Sequence, residues 1–167
     1  MEGESPSTNL DLSWDRADWQ RMWQRTQTLE WRTLVLVPGD EHTSTLGVAQ
    51  LMAGLAHAHG EVIEVADVRA LRLKHVDAFL EGTRWEVSQG ARVIFATRSA
   101  VDSLATVPLA RAADCALLCV SLGMTSRDAA QTTIEQVGRE RFLGSILVRA
   151  PPRPATGKLA RRSKALP

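Results

Sequence analysis

The amino-acid sequence predicts an α/β fold: a three-layer, Rossmann-like arrangement with a mainly parallel five-stranded sheet flanked by helices. Two observations carry this. Five short apolar runs recur along the chain, Leu34–Val37, Val62–Val65, Val93–Ala96, Ala116–Val120 and Ser145–Val148. Each is near-continuous rather than alternating, which fits strands buried on both faces. Segments with helical patterning separate them, at residues 44–59, about 75–88, about 100–113 and about 125–140. Alternating strand and helix imply a parallel, doubly wound sheet with right-handed crossovers.

Residues 1–12 read as a disordered, polar tail. Its start, Met1-Glu2-Gly3-Glu4-Ser5-Pro6, is acidic, unlike a secretory signal with a basic start and an apolar middle. Residues 13–29 read as a helix, with Leu12 or Ser13 at the cap position, Asp15 and Asp18 near its start and arginines after them, a charge order that suits the helix dipole. Trp19 and Trp23 lie four apart, as do Arg21 and Arg25, so one stripe is aromatic and another basic. The tryptophans pin this helix to the body or, on the sharper reading, help form a self-association or partner surface. The single domain spans residues 13–150. From Pro151 to Pro167 the text is Pro-rich and then basic (Lys158, Arg161, Arg162, Lys164), a disordered tail or a weak contact for acidic lipid or a partner.

Composition narrows the function classes. A hydrophobic share of 44% in 167 residues supports a real core. The net charge of +1 gives no global reason to expect nucleic acid or a membrane surface as partner. No apolar run approaches the roughly 20 residues that span a bilayer, so the expectation is a cytoplasmic protein. Cys115 and Cys119 share one face of a strand, too far apart to bridge, and read as small buried apolar residues.

The loop between the first strand (33–37) and the long apolar helix ending at Gly60 is Pro38-Gly39-Asp40-Glu41-His42-Thr43-Ser44-Thr45. In a phosphate-cradling strand–loop–helix this place carries glycines and a lysine, because backbone N–H groups and one ammonium must face a polyanion. Here it holds two carboxylates, a histidine and no lysine.

Further landmarks follow in order. They are Gly60-Glu61-Val62-Ile63-Glu64-Val65-Ala66-Asp67-Val68-Arg69, then Val93-Ile94-Phe95-Ala96-Thr97-Arg98-Ser99, and Ala110-Arg111-Ala112-Ala113-Asp114 before the strand Cys115–Val120. Gly123-Met124-Thr125 and Gly144-Ser145-Ile146-Leu147-Val148 close the series. Over roughly 33–150, with a shortened stretch between Arg69 and Arg92, this text resembles the cytosolic ATPase domain of bacterial tyrosine kinases. Those belong with the partition and division-site ATPases of the deviant P-loop class, so the resemblance implies a P-loop NTPase fold.

Carried over residue by residue, the family's loop lysine falls on Thr43, or on His42 if the register slips by one, and neither supplies a permanent charge. Its glycines fall on Asp40 and His42. The first aspartate of the second motif falls on Val65, while the second is kept as Asp67; the metal-holding aspartate falls on Ala96. Ser44 or Thr45 remains as a magnesium hydroxyl, with Thr97 nearby. Two like charges 4 Å apart cost about 4 kcal/mol at an effective dielectric of 20, so Asp40 and Glu41 would oppose a triphosphate unless they point outward or metal intervenes. Losing the metal carboxylates removes the ion that spreads charge in phosphoryl transfer. The family also carries a C-terminal tyrosine cluster, and this chain has no tyrosine at all.

The resemblance therefore implies a degenerate, non-catalytic member acting by protein–protein interaction in bacterial exopolysaccharide or capsule synthesis or export. Its partner would be the inner-membrane polysaccharide co-polymerase or another pathway protein, which would place it peripherally at the inner membrane. No cofactor and no metal are expected. The alternative is a divergent regulatory switch that still takes ATP with magnesium, or another anion. Asp67, Arg69, Thr97 and Arg98 are placed at the C-terminal strand edge, where open α/β sheets bind ligands, as an anion site or as a salt-bridge set that closes an obsolete pocket. Family members form rings through a Glu-x-x-Arg-x-x-Arg-like helix pattern, of which Asp18-Trp19-Gln20-Arg21 followed by Arg25 is a loose version. His57 and His59 read as an ordinary helix end rather than a metal pair, and Ser44 lacks the glycine-flanked elbow of a nucleophile.

Overall fold

The computed structural model describes residues 17–149. The expected tails, 1–12 and 151–167, and the first turn of the expected first helix, 13–16, lie outside them. The elements in chain order are α1 (Ala17–Thr26), β1 (Thr33–Pro38), α2 (Thr45–Ala58), β2 (Glu64–Asp67), α3 (Val76–Ser88), β3 (Val93–Ala96), α4 (Thr106–Ala112), β4 (Cys115–Leu122), α5 (Arg127–Val137) and β5 (Phe142–Arg149). The five strands form one all-parallel sheet in the order β2-β3-β1-β4-β5.

Two cores lie against its two faces. On one, Leu34, Leu36, Ile94, Leu117 and Ile146 pack beneath Trp23 of α1 and Val48, Met52 and Leu55 of α2. On the other, Val35, Val37, Phe95 and Ala116 pack beneath Val76, Leu109 and Val137 of α3, α4 and α5. The chain moves from β1 toward β2 on the first face and back across the sheet on the second, the geometry that right-handed crossovers demand.

Local chemistry sets the boundaries. Gly60 and Gly90, with φ of 77° and 98°, follow α2 and α3. The next residue's N–H then reaches back to a carbonyl of the last turn (Glu61 to Ala56, 2.9 Å; Ala91 to Glu86, 3.2 Å), a Schellman closure. Ser126 caps α5 by accepting from Ala129 N at 3.1 Å.

Four expectations shift. The second strand begins at Glu64, because pairing starts opposite Val93, and Val62 stands 79% exposed before the sheet. The helix expected over 100–113 is only α4; residues 100–105 form turns held by Ser99 Oγ, which donates to Asp102 Oδ2 at 2.7 Å. The helix expected to reach 140 ends at Val137, where Gly138 takes φ 107°. Burial on both faces holds for β1, β3 and most of β4, whereas β2 and β5 are edges with exposed residues.

Candidate functional site

Among the described residues, β1 is the only strand whose following helix packs on the α1/α2 face; its neighbours β3 and β4 send theirs to the other. Ligands of open α/β sheets lie beyond the strands' C-terminal ends where connections diverge in this way. The loops after β1, β3 and β4 meet there.

The β1–α2 loop is drawn down onto the sheet. Gly39 N donates to Cys119 O at 2.8 Å. A Cβ at Gly39 would stand 2.9 Å from Thr125 Cγ2 and 3.4 Å from Cys119 O, so this glycine permits close packing against the β4–α5 connection. Asp40 Oδ1 accepts from His42 N and from Thr43 Oγ1, both at 2.9 Å, which curls the loop into an Asx-type turn. The buried Thr43 hydroxyl also lies 3.0 Å from Ser121 Oγ and 3.4 Å from Thr125 Oγ1. Ser121 N donates to Thr125 Oγ1 at 2.9 Å. Burial pushes the Asp40 carboxyl up, but the Thr125 and Thr43 hydroxyls and the backbone of His42 and Thr43 outweigh it, holding the carboxyl below its ordinary value.

The remaining loop groups are placed as follows. Glu41 and His42 are exposed and face each other at 3.3 Å, an arrangement worth little in water. Ser44 is exposed at the start of α2 and makes no capping bond. Thr45 is fully buried, and its hydroxyl donates to Thr97 O at 2.6 Å. The Thr97 hydroxyl donates in turn to Leu36 O at 2.8 Å.

These residues do not fit a magnesium triphosphate. The Thr45 and Thr97 hydroxyls are bonded to main-chain oxygens, Ser44 is exposed and makes no side-chain hydrogen bond among the described residues, and a carboxylate occupies the turn. Asp40 Oδ2 is buried without a hydrogen-bond partner among the described residues, and an anion brought beside it would meet unscreened like charge.

The four residues expected as one ligand or salt-bridge set divide. Asp67 and Arg69 form a two-pronged pair, with Arg69 Nε and Nη2 each 2.7 Å from a carboxylate oxygen. The Arg69 bond holds Asp67 below its ordinary range, and Asp67 raises Arg69. Thr97 is buried in the main-chain bonds described above. Arg98 is exposed and makes no side-chain hydrogen bond or ion pair among the described residues. The salt-bridge set therefore reduces to one pair.

The α1 stripe also divides. Trp23 is buried and Trp19 half-buried against the core, so the tryptophans face the body. Asp18, Arg21 and Arg25 are exposed, and Arg21 lies 3.5 Å from Asp18. Arg21 and Arg25 form one wall of a groove of about 320 Å³ whose other side is Leu143, Gly144 and Ile146 of β5. His59 is engaged locally, 2.8 Å from Gln20 Oε1 and stacked with Trp23 at 6.3 Å.

Sequence reasoning missed three participants. Ser121 and Thr125 complete the loop network, whereas in the sequence Gly123-Met124-Thr125 marks only a turn. Arg92 lies over Trp31 at 3.9 Å and Trp23 at 6.0 Å, pairs with Glu61 and donates to Gln27 Oε1 at 3.1 Å. It secures α1 at the far end of the sheet through cation–π and ionic contact. An arginine immediately before an apolar strand, among widely spaced tryptophans, was the available signal.

Comparison with known proteins adds no relative: no family model, no curated protein and no solved structure matches this chain.

Proposed function

We propose that this protein is a non-catalytic relative of the ATPase domains of bacterial tyrosine kinases and works by binding another protein in exopolysaccharide or capsule synthesis or export. The observation that carries the non-catalytic half is the β1–α2 loop. Asp40 Oδ1, Thr43, Ser121 and Thr125 are bonded to one another where a P-loop would present free amides, a lysine and a metal hydroxyl. The pathway half rests on the order of landmarks from Thr33 to Val148, and the partner that this order implies is the inner-membrane polysaccharide co-polymerase. In that role the protein is cytoplasmic and reaches the membrane through its partner.

A second reading, a regulatory switch that binds ATP or a smaller anion, is favoured by one observation. Arg98 is an exposed cation at the C-terminal sheet edge without a partner among the described residues. Calorimetric titration of the full chain with Mg-ATP separates the two. The proposal expects no heat of binding; a dissociation constant tighter than about 100 μM, some 5.5 kcal/mol, and its loss in Arg98→Ala, would replace the first reading with the second.

A further inference from the structure

Among the described residues β5 pairs only with β4, so the outer side of this eight-residue strand has no strand partner there. Apart from a register shift at Leu143 and the terminal Arg149, Phe142-Leu143-Gly144-Ser145-Ile146-Leu147-Val148 contains no charge and no proline, two of the devices by which edge strands ordinarily repel a further strand. The other edge, β2, has four residues and carries Glu64 and Asp67 at its ends. Among the described residues, β5 is the longer and less charged of the two edges.

Side-chain chemistry beside that edge differs on the two faces. Ile146 and Val148 point into the core beneath α1 and α2, and on that side the α1 wall of the groove carries Arg21 and Arg25 with one carboxylate, Asp18. Arg25 makes no side-chain hydrogen bond or ion pair among the described residues, and Arg21 holds only the exposed Asp18. On the opposite face Leu147 stands 60% exposed. An added strand would send alternate side chains to these two faces. Its same-face neighbours lie about 6.6 Å apart, close to the roughly 5–6 Å between Cβ atoms one helical turn apart, as Arg21 and Arg25 are.

We propose that the β5 edge and the α1 groove together receive an extended segment of a partner protein in which carboxylates alternate with apolar residues. Main-chain hydrogen bonds to β5 supply affinity, the carboxylates meet Arg21 and Arg25, and the apolar residues cover Leu147. This rests on the partner-binding reading and names the chemistry of the partner.

The probe is a fluorescein-labelled octapeptide of alternating Glu and Val, followed by anisotropy with the full chain. A second peptide carries four Glu and then four Val, and a third alternates Lys and Val. The alternating acidic peptide is expected to bind at least about tenfold more tightly than either. Arg25→Glu and Leu147→Lys, both surface changes, are each expected to weaken it about tenfold, with slowed amide exchange along β5 on binding. Equal binding of the blocked peptide, or indifference to both substitutions, overturns the proposal. So does failure of the alternating peptide to bind.

Two other occupants are outcomes of the same experiment. A dimer in sedimentation that Leu147→Lys dissociates assigns the edge to a second copy and overturns the proposal. Peptide binding seen only after Glu2, Glu4 and Asp11 are changed to Gln assigns the groove to the chain's own acidic start, with the same consequence. The Mg-ATP titration is independent of all of these. ATP binding removes the non-catalytic reading and leaves a bound peptide standing, whereas peptide failure removes only the groove.

Discussion

The side-chain oxygens of Thr43 and Ser121 stand 3.0 Å apart, joining the loop that leaves β1 to the end of β4. This contact, with the Asp40 carboxylate on one side and Thr125 on the other, makes the loop a closed structural element. A phosphate loop keeps its donors free for the ligand. Here an entering polyanion would have to displace bonds that already satisfy a buried hydroxyl, and each polar group left unpaired costs about 1–3 kcal/mol.

Thr43→Val tests that closure. The substitution keeps the shape and deletes the hydroxyl, so Asp40 Oδ1 loses one of its donors and Ser121 loses a neighbour. A loss of about 1–3 kcal/mol is expected by urea denaturation, or roughly 2–4 °C of Tm for each kcal/mol in a domain of this size. Thr43→Ser should recover most of it. An unchanged Tm in Thr43→Val would mean that the hydroxyl holds nothing.

The cysteines give a chemical test of the sheet interior. Cys115 and Cys119 are both buried in the core on the α1/α2 side. Burial pushes both thiols up to about 12, with the Asp114 charge adding to the rise at Cys115 and Arg92 partly opposing it. The thiolate is the reactive species, and at pH 8 a group with that value is ionised in only about one molecule in 10⁴. Both thiols should therefore resist a disulfide reagent in the native protein and react together once urea unfolds it. Reaction of either at the rate of a free cysteine under native conditions would contradict this burial.

Much of this architecture is legible in the residues, for reasons that also explain the errors. β1 and β3 lie in the middle of the sheet, so nearly every residue is apolar and the run marks the strand. At the β2 edge that correspondence fails: Val62 and Ile63 are apolar but precede pairing, while Glu64 and Asp67 are polar but paired. The sequence predicts too long a helix at α4 because the segment from Ala100 to Leu104 is mostly apolar, with no glycine or proline to break it. Pro108, tolerated only near a helix start, marked the true beginning at Thr106. Asp40 was legible as an acid in a phosphate loop. Its partners were not, because Ser121 and Thr125 come from about 80 positions away and only the parallel register of β1 with β4 brings them in. Likewise the α1 stripe gave the spacing of Trp19, Trp23, Arg21 and Arg25, while which half faced the body depended on where Trp31 and Arg92 lay.

Asp114 provides a pH-dependent test at the other end of the same strand pair. Its Oδ2 accepts from Arg32 N and Thr33 N, both at 2.8 Å, and from Thr33 Oγ1 at 3.0 Å, clamping the start of β1 to the start of β4. Burial pushes this carboxyl up, but the backbone N–H groups of Thr33 and Arg32, the Thr33 hydroxyl and the Arg32 charge outweigh it, so its folded value lies below the ordinary 3.8. A carboxylate depressed in this way stabilises the native state above the unfolded value, and that stabilisation is lost as pH falls through the folded one. The side chain is exposed, so solvent screening limits the contribution to about 1 kcal/mol. Asp114→Asn keeps one acceptor and removes the charge. It should lower stability by about that amount at pH 7, and the gap to the native sequence should close as urea titrations are carried to successive values below pH 3.8. A gap that stays constant through that range would show that Asp114 acts through shape alone and that the clamp carries no charge-dependent stability.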